Sequence, residues 1–279
     1  MTERTQDVNV TPEELLELAE TVSREAAGIL VTGQAEVTVA DTKSSPTDVV
    51  TEMDRRAEAL IRERIGAERP ADAILGEEGG QTGDEADAPV RWVVDPLDGT
   101  VNYLYGLHDW AVSIAAEVSG KIVAGAVCVP RRRELFTAVL GGGAWLTAGG
   151  SRVALRCRET VALDRALVGT GFGYRAERRV VQGEVVAALL PGIRDIRRGG
   201  SAAIDLCAVA AGRLDGYYER GLNPWDYAAG ALIAAEAGAV VGGLHGAAHS
   251  TSMTVAAGPA LFGPLVSALE SLHAERDAS

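Results

Sequence analysis

The sequence predicts a mixed α and β chain, with an antiparallel-rich sheet in its first half and an α/β second half. Three observations carry this. Two amphipathic helical stretches stand near the start. From residue 91 to residue 156, short apolar runs follow one another with glycine turns between them, which is the pattern of a meandering sheet. Beyond residue 160, strand-like and helix-like stretches alternate. No internal repeat or low-complexity segment interrupts the chain. It reads as a disordered tail over 1–10, a first half over 11–155 and a second half over 156–279, divided by a change of pattern without a linker.

The elements follow in order. Thr11 caps the first helix, with Pro12 at its first position and Glu14 three residues on, a capping box. Leu15, Leu18, Ala19, Val22, Ala26 and Ile29 recur at helical spacing and form one apolar face. Lys43-Ser44-Ser45-Pro46-Thr47-Asp48 is turn-rich. Val50, Met53, Ala57, Leu60, Ile61 and Ile65 mark a second helix, with Pro70 beyond its end. Asp54 sits early in it, where an acid is also favoured by the helix dipole alone. Ala73–Leu75 is a short strand running into Gly76-Glu77-Glu78-Gly79-Gly80, which by itself reads as an acidic surface loop. Residues 81–90 form a polar connector.

Arg91-Trp92-Val93-Val94 is a buried strand that delivers Asp95-Pro96-Leu97-Asp98-Gly99-Thr100, an acidic turn. Residues 111–118, 121–129 and 134–140 are successive antiparallel strands, with Ser119-Gly120 as a hairpin turn. Residues 144–147 and 152–156 continue them. In the second half, strands are expected at 166–169, 195–198, 214–218, 240–241 and 254–256. Helices are expected at 177–190, 202–211, 225–237 and 259–273.

Composition narrows the function. The chain has 279 residues, 47% hydrophobic and 23% charged, enough for a substantial core. A net charge of −13 opposes general binding to nucleic acid or anionic lipid, because both require a basic footprint. It does not oppose a small phosphate ester if a bound cation supplies positive charge locally. Cys128, Cys157 and Cys207 show no CxxC spacing and read as reduced core residues. The polar N-terminus and the lack of any run of about 18 apolar residues predict a cytoplasmic protein without a membrane span.

The chemistry gathers at acids placed at element ends: Glu77, Asp95, Asp98 and Asp226. Oxygen-only donors without His or Cys select a hard ion, so Mg²⁺ is favoured over Zn²⁺. Phosphate needs donors, and the backbone N–H groups of Gly99 and Thr100, and of Gly200, Ser201 and Ala202, are offered at helix starts. Taken alone, a Gly-Gly-Ser turn is more often only a cap.

DPLDGTVNY at 95–103 resembles the first signature of the inositol monophosphatase family. Trp225-Asp226-Tyr227-Ala228-Ala229-Gly230, running to Glu236-Ala237-Gly238, resembles its second. Lys43-Ser44-Ser45-Pro46-x-Asp48, Asp54 and Gly76-Glu77-Glu78 fall in family order ahead of them. The match extends over about residues 12–270, and within the family it looks most like bacterial enzymes of the actinobacterial and mycobacterial type. It departs where Gly238-Ala239 stands for a more usual Gly-Gly, and where Tyr103 stands for Phe.

The resemblance implies a layered αβαβα sugar-phosphatase sandwich and a Mg²⁺-dependent phosphomonoesterase acting on myo-inositol 1-phosphate, with two or three Mg²⁺ per active site. It implies metal ligands Glu77, Asp95, Asp98 and Asp226, with Leu97 through its carbonyl and Glu78 behind them. Thr100 with Asp54 activates the attacking water, and Glu77 joins them in the catalytic set. Leu97, Asp98, Gly99, Thr100, Arg197, Gly200, Ser201, Ala202, Glu219 and Asp226 surround the substrate. Lys43 and Asp48 lie near a loop carrying a third, weaker ion. A homodimer and lithium inhibition are also implied. Relatives act on fructose 1,6-bisphosphate, histidinol phosphate or 3′-phosphoadenosine 5′-phosphate, and some bacterial relatives associate with transcription machinery, so both alternatives stand.

Overall fold

The computed structural model describes residues 10–36, 39–42, 49–84 and 88–276. Lys43 to Asp48, singled out by the motif order, lie outside the described residues. In chain order the elements of the first half are α1 (Pro12–Gly33), β1 (Val39–Thr42), β2 (Val49–Thr51), α2 (Glu52–Glu68), β3 (Ala73–Gly76), β4 (Gly80–Thr82), β5 (Arg91–Asp98) and α3 (Thr100–Leu104). They continue with β6 (Ala111–Val118), β7 (Lys121–Val129), β8 (Glu134–Val139), β9 (Gly143–Ala148) and β10 (Ser151–Ala154). The second half holds β11 (Leu167–Thr170), α4 (Ala176–Leu189), β12 (Asp195–Arg197), α5 (Ala202–Ala210) and β13 (Gly216–Glu219). It closes with α6 (Pro224–Glu236), β14 (Val240–Gly242), β15 (Thr254–Ala257) and α7 (Pro259–Ser271).

Local chemistry accounts for the helix starts. Thr11 Oγ1 accepts from Glu14 N at 3.3 Å while Thr11 N donates to Glu14 Oε2 at 2.8 Å, the reciprocal box expected at α1. Thr51 and Asp54 make the same box at α2, and here both side chains are buried.

The eight strands β10-β9-β8-β7-β6-β5-β3-β4 form one sheet, antiparallel except for the β3–β5 pair. The strands β12-β11-β13-β15-β14 form a second. Alternation along the strands of the large sheet feeds two cores. Trp92, Val94, Val112 and Ile114 pack with α1 and α2, whereas Val93, Ala111, Ala115 and Val127 pack with α5 and α6. The far side of α5 and α6 covers the five-stranded sheet through Leu206, Val209, Ala234 and Tyr217. Its other face meets α4 and α7 through Val181, Val185, Leu261 and Leu265. The layers are therefore α1/α2, large sheet, α5/α6, small sheet and α4/α7, the expected αβαβα sandwich.

Small residues let the middle helices sit close. A Cβ on Gly125 of β7 would stand 3.0 Å from Ala229 Cα, and one on Gly230 would stand 2.9 Å from Leu206 Cβ. The Ala-Ala-Gly run of α6 is thus a packing device that fixes the helix carrying Asp226 between the sheet and α5.

Two sequence expectations are corrected. The polar connector over 81–90 begins with β4, which pairs with β3. Residues 95–98 are not a turn after the strand, because β5 continues to Asp98 with a bulge in its pairing to β6.

Candidate active site

The bulge is where the site begins. Asp95 faces Ser113 and Asp98 faces Ala111, so three steps on β5 match two on β6. In a regular strand, side chains three apart point to opposite faces. The extra residue cancels that alternation, and Asp95 and Asp98 both line one cavity. Pro96 lacks the N–H that a regular ladder would have used at this point. Leu97 N donates to Asp95 Oδ1 at 2.9 Å and holds that carboxylate in place.

The cavity encloses about 340 Å³ and is lined by Glu77, Asp95, Leu97, Asp98, Gly99, Thr100, Gly200, Ala202, Glu219 and Asp226. Ten of the expected residues therefore converge from four separate parts of the chain. Asp54 stands directly behind them. Its Oδ1 accepts from Thr100 Oγ1 at 3.0 Å, and its Oδ2 accepts from Thr51 N at 2.8 Å. Thr100 Oγ1 also lies 3.2 Å from the Leu97 carbonyl.

Each acid has its own support. Asp98 Oδ2 accepts from Ser201 Oγ at 2.6 Å and from Ala203 N at 2.8 Å. Asp226, in the first turn of α6, accepts from Asn223 N at 2.6 Å. The turn carrying Glu77 is tied down by Glu58, which accepts from Glu78 N at 2.7 Å and Gly79 N at 2.8 Å. Glu219 accepts from Tyr217 Oη at 2.6 Å. Gly171 makes room for it, since a Cβ there would stand 1.8 Å from Glu219 Oε2.

The electrostatics are those of crowded anions. Burial pushes the Asp95 carboxyl well up, and the charges of Glu77, Asp98 and Asp226 add to it. Burial does the same to Asp226, again helped by Glu77 and Asp98. Asp98 is pushed up to about 6 by burial, opposed by its bonds to Ser201 and Ala203 and by the Arg198 charge. Among the described residues no three such side chains close into a ready-made cage. A donor set of oxygens alone, without His or Cys, fits a hard divalent cation.

Two placements differ from the sequence reading. Arg197 points outward, with Nη1 donating to Asp195 Oδ2 at 2.5 Å, and its neighbour Arg198 lines the cavity instead. Ser201 is buried against Asp98 and caps α5 by accepting from Ile204 N at 3.2 Å, so it steadies a carboxylate and does not line the cavity. Glu78 does not line the cavity, in keeping with the place behind Glu77 that the resemblance implies.

Sequence reasoning missed Asn102, Glu58 and Arg198. Asn102 Nδ2 donates to Asp109 O at 2.6 Å and to Gly199 O at 2.9 Å. It staples the turn at 199–200 to the bulged strand, and its place inside the first signature was the available signal. Gly99 completes this junction. Its φ is +96°, and a Cβ would stand 2.9 Å from Asp109 O and 3.3 Å from Gly200 O.

Comparison with known proteins gives the family. The model of the inositol monophosphatase family matches residues 11–276. The chain belongs to the inositol monophosphatase family. Inositol-1-monophosphatase of Mycobacterium bovis is 47% identical over 276 residues, covering 94% of this chain and 95% of the relative. The Nus factor SuhB of Escherichia coli (strain K12) is 39% identical, covering 86% and 88%. The solved structure of Mycobacterium tuberculosis SuhB superposes with a TM-score of 0.81 at 46% identity, covering 95% of this chain and 99% of that one. The inositol monophosphatase family consists of metal-dependent phosphatases, and this chain is a phosphatase of that family. Among the described residues no helix is long and apolar enough to cross a membrane.

Proposed function

We propose that this chain hydrolyses phosphate monoesters of small polyols, myo-inositol 1-phosphate among them, with Mg²⁺ as the cofactor. The observation that carries the reading is the Asp54–Thr100 contact set beside Glu77, Asp95, Asp98 and Asp226 in one cavity. Glu77, Asp95, Asp98, Asp226 and the Leu97 carbonyl would hold two or three cations. When bound, Mg²⁺ offsets the charge of the phosphate and lowers the pKa of a neighbouring water.

The chain's own residues do the rest. Thr100 has one hydroxyl proton and two acceptors in reach, Asp54 Oδ1 and Leu97 O. With that proton turned to Asp54, the Thr100 oxygen accepts one from the attacking water. As water gives its proton to Thr100, Thr100 passes its own to Asp54, the oxygen of water bonds to phosphorus, and the bond from phosphorus to the ester oxygen breaks, the leaving alkoxide taking a proton from solvent water. The N–H groups at Gly99 and Thr100 orient the phosphate. Glu219, anchored by Tyr217, accepts from ring hydroxyls, which favours a polyol.

A phosphatase panel under Mg²⁺ titration tests the reading. Polyol phosphates should be turned over only with the cation, and Asp95→Asn and Asp226→Asn should abolish nearly all turnover in folded protein. Full activity in either variant overturns it. Preferential turnover of a non-polyol ester replaces the substrate and keeps the chemistry.

A transcription-related binding role is the second reading, favoured by the name Nus factor carried by the Escherichia coli relative. A stoichiometric partner retained by Asp95→Asn supports it. A homodimer in the cytoplasm completes the proposal, and light scattering of the purified protein tests the dimer.

A further inference from the structure

The acidic wall of the cavity is backed by one face of α2. Asp54, Glu58 and Arg62 recur every four residues and so stand in one row along that helix. Asp54 meets Thr100. Glu58 and Arg62 meet the loop Glu77-Glu78-Gly79, which joins β3 to β4 and carries an acid of the cavity. A side chain on a loop is placed accurately only if the loop itself is held. One tie comes from the sheet, where Glu77 N donates to Val94 O at 3.3 Å, one residue before Asp95.

Further ties come from Glu58 and Arg62. Glu58 is 2% exposed. Its Oε2 accepts from Glu78 N at 2.7 Å, and its Oε1 accepts from Gly79 N at 2.8 Å and from Arg62 Nε at 2.7 Å. Arg62 continues around the hairpin, with Nη2 donating to Gly80 O at 2.7 Å and Nη1 to Thr82 Oγ1 at 2.8 Å. The glycines on either side of the two acids fit this clasp. Neither Gly76 nor Gly79 has a positive φ, so backbone conformation does not require them. A Cβ on Gly76 would stand 2.6 Å from Glu58 Oε1 and 2.7 Å from Arg62 Nη2, and one on Gly79 would stand 2.7 Å from Glu58 Oε1. Their small size lets the pair reach the loop backbone.

We propose that Glu58 and Arg62 are positioning residues for the metal centre: through α2 they fix Glu77 relative to the Asp54–Thr100 contact, and they set the affinity for Mg²⁺. This rests on the phosphatase reading, in which Glu77 is a cation ligand. A carboxylate accepts at both oxygens, whereas an amide has one acceptor oxygen and turns an NH₂ donor toward the other N–H. Glu58→Gln therefore leaves a loop N–H unserved at almost unchanged side-chain size. Arg62→Lys keeps the charge but lacks the guanidinium fork that reaches Glu58, Gly80 and Thr82 together.

Calorimetric titration of the full chain with Mg²⁺ tests this, alongside thermal melts and steady-state kinetics. Glu58→Gln and Arg62→Lys should each raise the Kd for Mg²⁺ about 10–100-fold, the scale for groups behind metal ligands. Their kcat at saturating Mg²⁺ should stay near that of wild type, because bound cation draws Glu77 back into place. Ile61→Val on the same helix is the control. Its buried side chain packs in the core, so it should lower the melting temperature and leave the Kd unchanged. The side chain of Arg62 is 19% exposed, which keeps the test decisive if Glu58→Gln does not fold. Wild-type affinity in the folded variants of the pair, or an equal loss in Ile61→Val, overturns the positioning role and leaves the phosphatase reading standing. Glu77→Gln separates the two, and should weaken Mg²⁺ binding at least as much as either variant. If wild type binds no Mg²⁺, or Glu77→Gln binds it as wild type does, the reading of Glu77 as a ligand falls, and the positioning role with it.

Discussion

Thr100 Oγ1 donates to Asp54 Oδ1 at 3.0 Å across 46 residues of sequence. The same carboxylate caps α2, with Thr51 N at 2.8 Å on its other oxygen. The helix cap and the proposed proton relay thus share one side chain, and removing either partner has distinguishable effects.

Thr100→Ala removes the relay and leaves the cap. Its kcat should fall by about 10²–10⁴, the span of general-base catalysis, with the melting temperature nearly unchanged. Thr100→Ser keeps the hydroxyl and should retain most of the rate. Asp54→Asn should lose rate and also destabilise the fold, because the short Thr51 contacts are weakened. Steady-state kinetics and thermal melts of the three variants check this.

Ser201→Ala deletes the 2.6 Å bond to Asp98 and the cap of α5. If Asp98 ligates Mg²⁺ as proposed, a residue behind it tunes affinity, and the Mg²⁺ concentration for half-maximal activity should rise about 10–100-fold. The lost cap should cost about 1 kcal/mol. An unchanged Mg²⁺ dependence would show that Asp98 needs no such support.

Asp95→Asn relieves crowding. Burial and three neighbouring carboxylates oppose the charged form of Asp95. In EDTA at neutral pH the variant should therefore melt higher than wild type, and it should gain less on addition of Mg²⁺, since a ligand is gone. Differential scanning fluorimetry with and without Mg²⁺ reads both effects.

Asp205 sits buried on α5, one turn beyond Ser201, and is pushed up to about 8 by burial and then by the charges of Glu219 and Asp98. The folded state holds this proton more tightly than the unfolded chain, whose ordinary value is 3.8. The stability it contributes is complete below about pH 4 and is lost as pH rises through about 8. In EDTA, the urea midpoint of wild type should fall between pH 5 and pH 8.5, and Asp205→Asn should flatten part of the fall. Identical pH profiles for the two proteins would contradict this.

Gly171→Ala forces Glu219 to move, since the new methyl would stand 1.8 Å from its Oε2. The KM for a polyol ester should rise by about tenfold, the worth of one charged hydrogen bond, with kcat changed less. Kinetics on a polyol ester and on a phosphate ester without hydroxyls separate the two effects, because only the polyol uses Glu219.

Much of this was legible in the chain. Periodicity of 3.6 placed α1 and α2, and apolar alternation between glycine turns placed β6, β7 and β8. Acids at element ends, with no His or Cys among them, pointed to a hard cation before any geometry was known. These are local properties, set by side-chain direction along a single element.

What tertiary structure decided is nonlocal. The bulge between Asp95 and Asp98 exists only against β6, and it alone turns both carboxylates to one side. One-residue alternation put Arg198 in the cavity and Arg197 outside, a choice no residue type announces. Ser201 reaches Asp98 over 103 residues and Asn102 reaches Gly199 over 97. Sequence determined which groups carry the chemistry, because that depends on residue type. The tertiary structure decided which of them touch, because partners this far apart meet only when α5 and α6 are packed between the two sheets.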